Sequence, residues 1–479
     1  ASIRPPTSPR SSRRTQPPER CRLPVSLCPE CGRRPRYAPG QRCQPCHSAW
    51  GRARRAAIRA GAGKKSRITL EPQGEQRHAR PLTKRRLLVT SAQNATPVHD
   101  SFWSTLVLAA KHLDAELVVI PLRYKNPTSI WSTKQDHDEW WDQRLEPYLF
   151  NVRRKLGPNL VLVGDVKIQP TASSPLSGFE ALTGAESCLI GHPKMQLRVV
   201  PAPTGRYPKI LSTTGSCTKR NYTDTKAGAL GEFHHFLGAV IVELEGKHFH
   251  LRQLNADRIT GEFTDLDTHY TLEGARKAPP ALGLECGDIH ARFIDHAVDR
   301  ATFGPGGIVE TLNPENVILN DLFDGYAVNH HHAGNPFIAQ AKAKARYGNV
   351  QEEVEHAVKF VMNRCAGRRA VIVSSNHDDF LARWLASTDW RGSPGNAKFY
   401  LETALHVVES AQMTAHGASY ADPFRYWVDR LKGKANIKCL GIDESFKLAG
   451  IECGLHGHQG ANGARGTLKN LARLGARVI

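Results

Sequence analysis

The sequence lacks any apolar run that approaches the roughly 20 residues needed to span a bilayer, so it predicts no membrane partner. Its first residues are rich in Pro, Ser and Arg without an apolar stretch, and no secretory signal is visible. The 11 cysteines do not suggest a disulfide framework, because four cluster at positions 28–46 and the others are scattered and odd in number. These absences favour a reducing cytoplasm.

Acidic residues are scarce at the start of the chain. Residues 1–86 contain 22 Lys and Arg but only four acids, so they carry +18 of the total net charge of +20. An arm this basic predicts binding to a polyanion. A solvated, disordered tail is the alternative, and the cysteines within the arm favour binding.

The clustered cysteines form two C-x2-C pairs separated by eleven residues. Each pair can bring two thiolates to one tetrahedral zinc ion, and the metal would supply the folding energy of so small a module. The sequence therefore predicts one structural Zn²⁺ bound by Cys28, Cys31, Cys43 and Cys46.

A short basic helix is predicted directly after these cysteines. The arrangement resembles the zinc ribbons attached to many phage nucleases, and it implies phosphate-backbone contacts with DNA. A solvated helix or a protein-docking face would have the same composition. The residues expected to bind DNA are Arg52, Arg54, Arg55 and Arg59.

The length of 479 residues allows two or three domains. From residue 86 strand and helix patterns alternate, with strands at 86–90, 116–121 and 159–163, a helix at 100–113, a hairpin of 239–244 with 248–254, and a long helical stretch at 336–363. We predict an α/β fold with a largely parallel sheet. The expected domains are a disordered basic tail (1–22), a zinc ribbon with its basic helix (23–60), a linker (61–85), an N-terminal α/β region (86–280) and a hydrolase core (281–479).

Four short apolar segments of the C-terminal half each run into polar residues suited to bind metal. In open α/β proteins the functional site lies at the carboxyl ends of the strands, which is where these polar clusters would be. Asp, His and Asn together suit divalent manganese, iron or zinc. The segments are 282–286, followed by Asp288 and His290; 316–319, followed by Asp321 and Asp324; 370–374, followed by Asn376, His377 and Asp378; and 450–453, followed by His456 and His458.

This ordered series of D-x-H, D-x-x-D, N-H-D and H-G-H resembles the calcineurin-like metallophosphoesterase superfamily. The resemblance implies a metallophosphoesterase-type sheet flanked by helices and a centre of two divalent ions, manganese foremost, with iron or zinc as alternatives. It implies the following roles: Asp288 and His290 bind the first metal, Asp321 bridges both, Asn376 and His456 bind the second, and His377 approaches the scissile phosphate and its leaving oxygen. The carboxylates expected to orient the ligands are Asp324 and Asp378.

The chain departs from the superfamily pattern in three places. Asn320 and Ser375 each stand where the superfamily usually has Gly. A final G-H-x-H element is also missing from residues 459–479, and we expect that the chain is truncated before it. The alternative is that His456 and His458 themselves form the final pair of ligands.

Within the superfamily, residues 86–479 resemble the phage proteins that degrade host DNA early in infection. This resemblance rests on residues 456–466 and on the Asn376-His377-Asp378 motif, and it implies a location in the host cytoplasm. We therefore expect a metal-dependent DNase whose basic arm holds DNA. A phosphatase of small phosphomonoesters or nucleotides and a non-catalytic DNA-binding scaffold are the alternatives, and a homo-oligomer remains open.

The sequence leaves the role of three consecutive histidines undecided. His330, His331 and His332 follow the bridging Asp321 in a predicted loop. One of them could contact the substrate phosphate, and an exposed loop would have the same pattern. They are not counted among the metal ligands.

Overall fold

The computed structural model describes residues 79–124, 139–203, 206–332, 334–414, 417–442 and 444–456, together with a short strand at Arg67–Thr69. The predicted zinc ribbon, its basic helix and His458 lie outside these residues and stay predictions. The described part is a mixed α/β protein, as the sequence predicts. None of its helices is long and apolar enough to cross a membrane.

The chain divides into two compact units. Unit 1 extends to Asp265 and includes Tyr270–Ala275, and unit 2 comprises Leu266–His269 and the chain from Arg276 onward. The strands near this division are β12 (Phe263–Asp265), β13 (Thr268–Thr271) and β14 (Gly274–Lys277), which form a three-stranded sheet.

Unit 1 is built on two larger sheets, in the strand orders β11-β10-β2-β3 and β5-β6-β7-β9-β8. Its helices are α1 (Asp100–His112), α2 (Phe179–Leu182) and α3 (Lys226–His234), with a 3-10 helix at Gln143–Tyr148. Its strands are β1 (Arg67–Thr69), β2 (Arg86–Gln93), β3 (Glu116–Leu122), β4 (Trp140–Asp142), β5 (Arg153–Gly157), β6 (Leu160–Val163), β7 (Ser187–Ile190), β8 (Leu197–Val200), β9 (Lys209–Thr213), β10 (Gly238–Glu245) and β11 (His248–Asn255).

The first of these sheets is buried on both faces. Alternate residues of a strand point to opposite faces, so Leu88 packs in the cluster that contains Phe102 of α1. Leu87 lies in the cluster on the other face, with Leu160 and Leu189 of the second sheet. Unit 1 therefore stacks a helix and two sheets in layers.

Unit 2 contains a four-stranded parallel sheet in the order β15-β16-β17-β20. Its strands are β15 (Gly283–Cys286), β16 (Asn316–Leu319), β17 (Arg369–Ile372), β18 (Gln412–Thr414), β19 (Gly417–Ser419), β20 (Ile437–Cys439), β21 (Lys447–Leu448) and β22 (Ile451–Glu452). Its helices are α4 (His296–Phe303), α5 (Ile308–Leu312), α6 (Pro336–Ala345), α7 (Val350–Arg364), α8 (Asp379–Ser387), α9 (Ala397–Ser410) and α10 (Pro423–Leu431), with 3-10 helices at His330–His332, Trp390–Gly392 and Pro394–Asn396.

The two faces of this parallel sheet are covered by different elements. Val317 and Leu319 of β16 pack against α7 and α10, where Val354 and Phe424 are buried. Ile318, which points the opposite way, packs with residues near the hairpin β21–β22. Burial on both faces explains why β16 is a continuous apolar run.

One local prediction was wrong in part. The stretch 336–363 is two helices and not one, because Arg346 adopts a left-handed φ of 59° and Asn349 begins α7 with a side chain that accepts a hydrogen bond from the Glu352 amide.

Candidate metal centre

Three of the four predicted ligand segments end at one edge of the parallel sheet. Asp288 and His290 follow β15, Asp321 follows β16, and Asn376 and His377 follow β17. These three strands are neighbours and parallel, so their carboxyl ends point to the same edge.

A group that could hold a metal ion lies at this edge. One ligand atom from each of Asp288, His290 and Asp321 falls within 4.8 Å of the others. Two carboxylates and an imidazole are suitable ligands for a divalent transition metal. Among the described residues, the structure thus brings together one group of candidate metal ligands.

Asp321 has an unsatisfied oxygen in this group. The carboxylate is buried, and its Oδ2 accepts a hydrogen bond of 2.7 Å from Nε2 of His456. Its Oδ1 is buried and has no hydrogen-bond partner among the described residues. Leaving a buried acceptor unpaired costs about 1–3 kcal/mol, and a cation bound to this oxygen would offset that cost.

The charge state of Asp321 also suits a cation. Burial alone would raise the pKa of this carboxyl, but the hydrogen bond and charge of His456 lower it below its ordinary value. The same hydrogen bond raises the pKa of His456 against the opposing effect of burial. Asp321 is therefore ionised at neutral pH and available as a ligand.

Asp324 orients His290. Its Oδ1 lies 3.3 Å from Nδ1 of His290, and its Oδ2 accepts a hydrogen bond of 3.0 Å from the amide of Arg292. The hydrogen bond that His290 donates to Asp324 raises the pKa of His290 more than burial lowers it. With Nδ1 held as the donor, Nε2 remains the free nitrogen for a metal, which is the usual arrangement around a ligating histidine.

His377 is fixed by a different acceptor. Its Nδ1 lies 2.9 Å from the main-chain oxygen of Asp324, to which an Nδ1–H donates. The His377 ring lies 4.9 Å from that of His290, in an edge-to-face arrangement. Its Nε2 has no hydrogen-bond partner among the residues that the structure describes.

Asp378 shapes the turn that carries Asn376. Its buried Oδ2 accepts a hydrogen bond of 2.9 Å from the amide of Ser375. Burial and the nearby charge of Asp422 hold the pKa of Asp378 well above its ordinary value. Asp378 therefore supports the main chain at Ser375, the residue directly before Asn376.

The fourth predicted segment belongs to a different element. β22 pairs antiparallel with β21, and the fourth position in the parallel sheet is taken by β20, which was not among the predicted ligand strands. Positive φ angles at Ala449 and Gly450 form the tight hairpin turn between β21 and β22. His456 nevertheless reaches Asp321 from the end of this hairpin.

Strained backbone marks three of the predicted ligands. The φ angles of Asp288, His290 and Asp321 are 45°, 44° and 48°, a region that non-glycine residues rarely adopt. The loops after β15 and β16 are joined by main-chain hydrogen bonds, including 2.8 Å from the His290 amide to the Asp321 carbonyl. These bonds hold both residues in the strained conformation, a feature typical of functional sites.

Sequence reasoning missed a buried glutamate that positions the loop after β16. Glu353 of α7 is buried and accepts hydrogen bonds of 2.7 and 2.9 Å from the amides of Tyr326 and Ala327. Burial raises the pKa of this carboxyl. The available signal was a glutamate next to Val354 and one turn before Ala357, on the buried face of an amphipathic helix.

The fold and the site define an α/β protein with a candidate metal centre at the carboxyl edge of a parallel sheet. No protein-family model matches the chain. It is 32% identical over 407 residues to Protein A1 of Escherichia phage T5, an alignment that covers 82% of this chain and 72% of that protein. The chain belongs to the same family as this phage protein.

Proposed function

We propose that this chain is a metal-dependent phosphodiesterase of the calcineurin-like type that hydrolyses DNA. The observation that carries the proposal is the convergence of Asp288, His290 and Asp321 within 4.8 Å, with His456 hydrogen-bonded to Asp321. The relationship to a phage protein supports a role during infection.

The residues fit the two divalent ions that such an enzyme uses. Asp288 and His290 would hold one ion, Asn376 and His456 the other, and Asp321 both, which accounts for its unpartnered buried oxygen. When bound, the pair supplies a nucleophile at neutral pH and neutralises charge on the phosphate. Asp324 and Asp378 keep the ligand-bearing residues in place.

His377 acts on the substrate rather than on the metal in this proposal. Its Nδ1–H is committed to the Asp324 carbonyl, so its Nε2 is the atom that can hold or deliver a proton at the leaving oxygen. Removing this imidazole should slow turnover without emptying the centre.

DNA is the proposed substrate because of the basic arm. Residues 1–86 hold +18 of the net charge of +20, and neutralising phosphates is the main source of sequence-independent affinity for DNA. The zinc ribbon of Cys28, Cys31, Cys43 and Cys46 would present this charge, although it lies outside the described residues. A small phosphomonoester would not require such an arm.

The test measures manganese-dependent hydrolysis of DNA and bound manganese in the full chain. Asp321→Asn should lose both, because it removes the shared carboxylate, whereas His377→Gln should keep its manganese and lose turnover. Asp429→Asn and His250→Gln are the matched controls, since Asp429 of α10 pairs with Lys432 and His250 is exposed on β11.

The outcomes separate this proposal from its alternatives. Full activity in Asp321→Asn, or loss of metal in His377→Gln, would contradict the assigned roles. Hydrolysis of small phosphomonoesters but not of DNA would favour a phosphatase. DNA binding without bound manganese or hydrolysis would favour a scaffold.

A further inference from the structure

A cavity lined in part by His330 lies in unit 2, and the Phe380 ring contacts both His330 and His377. The cavity has a volume of about 520 Å³ and is formed by the loop after β16, the start of α6 and the side of α8. None of the described residues that line it is acidic. Its polar lining residues include Asn329, His330, His332, Lys342 and Arg383.

The positive groups of this cavity have few acidic partners. The Arg383 side chain is 58% exposed, and its closest carboxylate is Asp379 on the same helix at 3.8 Å. One guanidinium nitrogen of Arg383 lies 3.4 Å from Nε2 of His330. The cavity therefore has a guanidinium whose charge is only weakly compensated.

Two further residues add donors to the same cavity. Nδ1 of His332 is buried and has no hydrogen-bond partner among the described residues. The Lys342 ammonium lies 4.8 Å from the centre of the Tyr326 ring and bonds the Tyr326 carbonyl. Each of these groups would be stabilised by an anion.

The nearby positive charges contribute to a lowered pKa of His330 and of His332. Slight desolvation of this exposed ring, followed by the charges of His331 and Arg383, lowers the pKa of His330. Burial, followed by the charges of Lys342 and His331, lowers the pKa of His332. A bound anion would oppose the charge contribution in both cases.

The cavity is close enough to the candidate metal centre for one DNA strand to reach both. The Phe380 ring lies 5.1 Å from the His377 ring and 5.1 Å from the His330 ring, so both imidazoles contact the same side chain. Gly325 lets the loop pack this closely, because a Cβ there would lie 2.7 Å from Phe380. Phosphates of one DNA strand succeed each other roughly every 3.4 Å along the helix axis.

We propose that this cavity binds a non-scissile phosphate of the DNA backbone, with Arg383 as its main contact and His330 and His332 as additional donors. The inference rests on the proposed phosphodiesterase function. A planar guanidinium suits a phosphate because it can donate two parallel hydrogen bonds. The subsite would position a DNA strand whose neighbouring phosphate lies beside His377.

The test compares a substrate that has a second phosphate with one that has none. Full chains carrying Arg383→Gln or His330→Gln are assayed with manganese on a short DNA duplex and on bis(p-nitrophenyl) phosphate. Arg391→Gln is the matched control, because Arg391 is exposed in the same unit, pairs with Asp389 and does not line the cavity. Both substituted positions in the cavity are exposed, so the variants should fold.

The expected result is selective for DNA. Arg383→Gln should lower kcat/KM on the duplex roughly tenfold or more, with His330→Gln losing less, while hydrolysis of bis(p-nitrophenyl) phosphate stays unchanged. With no divalent ion added, the slope of log DNA affinity against log salt should flatten by about 0.9 in Arg383→Gln, the contribution of one phosphate contact. The Arg391→Gln control should change neither measurement.

Other outcomes would overturn the subsite. Equal losses on both substrates would place Arg383 in the metal centre, unchanged DNA kinetics and salt slope would exclude a phosphate contact, and an equal loss in Arg391→Gln would indicate general surface charge. If the wild-type chain hydrolyses neither substrate, the proposed function fails, and the salt slope alone decides the subsite: a flatter slope in Arg383→Gln supports it, and an unchanged slope refutes it.

Discussion

Asp324→Asn should weaken metal binding without disturbing His377. The two carboxylate oxygens of Asp324 face two donors, Nδ1–H of His290 at 3.3 Å and the Arg292 amide at 3.0 Å. An asparagine has only one acceptor oxygen, so its NH₂ group must face one of these donors. The shorter bond to Arg292 favours placing the remaining oxygen there.

His290 then changes its protonation pattern. A side-chain NH₂ beside Nδ1 donates to that nitrogen, which moves the imidazole proton to Nε2, the atom otherwise free for the metal. Restoring the binding tautomer leaves a donor unpaired at a cost of about 1–3 kcal/mol. Because 1.4 kcal/mol is a factor of ten, affinity should fall about 10–100-fold, the range typical for loss of such orienting partners.

The assay is calorimetric titration of the full chain with manganese at constant pH. Asp299→Asn is the burial-matched control, because Asp299 is a buried aspartate of unit 2 that pairs with Arg364, away from the candidate ligands. Wild-type affinity in Asp324→Asn would refute the orienting role. An equal loss in Asp299→Asn would attribute the effect to charge or stability instead.

Two further predictions concern stability and zinc. Burial would raise the pKa of Asp142, but the hydrogen bonds that it accepts from Arg144 lower it. This contribution to stability is therefore present above the unfolded pKa and is lost as the pH falls through the lowered folded value. Asp142→Asn should cost about 1–2 kcal/mol of unfolding free energy at neutral pH, at the low end because Arg144 is 46% exposed, and chemical denaturation of wild type and variant should converge in acid. Cys43→Ser should remove one equivalent of zinc in elemental analysis of the full chain, whereas retention of that zinc would contradict the predicted ligand set.

The sequence predicted the elements whose structure depends on residues that are close together in the chain. β16 spans the four residues expected from its apolar run. The hairpin of β10 and β11 forms around Gly246, whose φ of 57° suits a tight turn. The β2-α1-β3 unit also matches its prediction, and its two strands are parallel. In each case the hydrophobic period and the turn residue indicate the same structure.

Contacts distant in sequence could not be read in the same way. The second sheet of unit 1 places β9 between β7 and β8, an order that no local pattern encodes. The segment before His456 has the apolar composition of a parallel strand, yet it turns back on β21 at Ala449 and Gly450. The composition of this segment predicted a strand, but the strand with which it pairs depends on contacts distant in sequence.

The candidate site also has features that the sequence predicted and features that it did not. Residue types and spacing identified Asp288, His290 and Asp321, which the structure brings together. The left-handed backbone at all three residues was not predictable, because Asp and His adopt it more often than most non-glycine residues but still at only a small share of positions. Asn320 and Ser375, where the resemblance led us to expect glycine, form supporting bonds. The Asn320 side-chain amide donates to the Cys286 carbonyl at 3.2 Å, and Ser375 Oγ accepts from the His377 main-chain amide at 3.2 Å.

Metal binding should couple to folding differently at the two predicted sites of this chain. In unit 2 the strained loops are joined by main-chain hydrogen bonds and supported by a sheet that is buried on both faces. The ligands are thus ordered by protein contacts, and little metal-binding energy is needed to assemble them. The predicted zinc ribbon has too few residues for a core, so its metal must supply the folding energy. A substitution such as Asp324→Asn should consequently weaken binding in a folded unit, whereas Cys43→Ser should remove the ribbon's folded state itself.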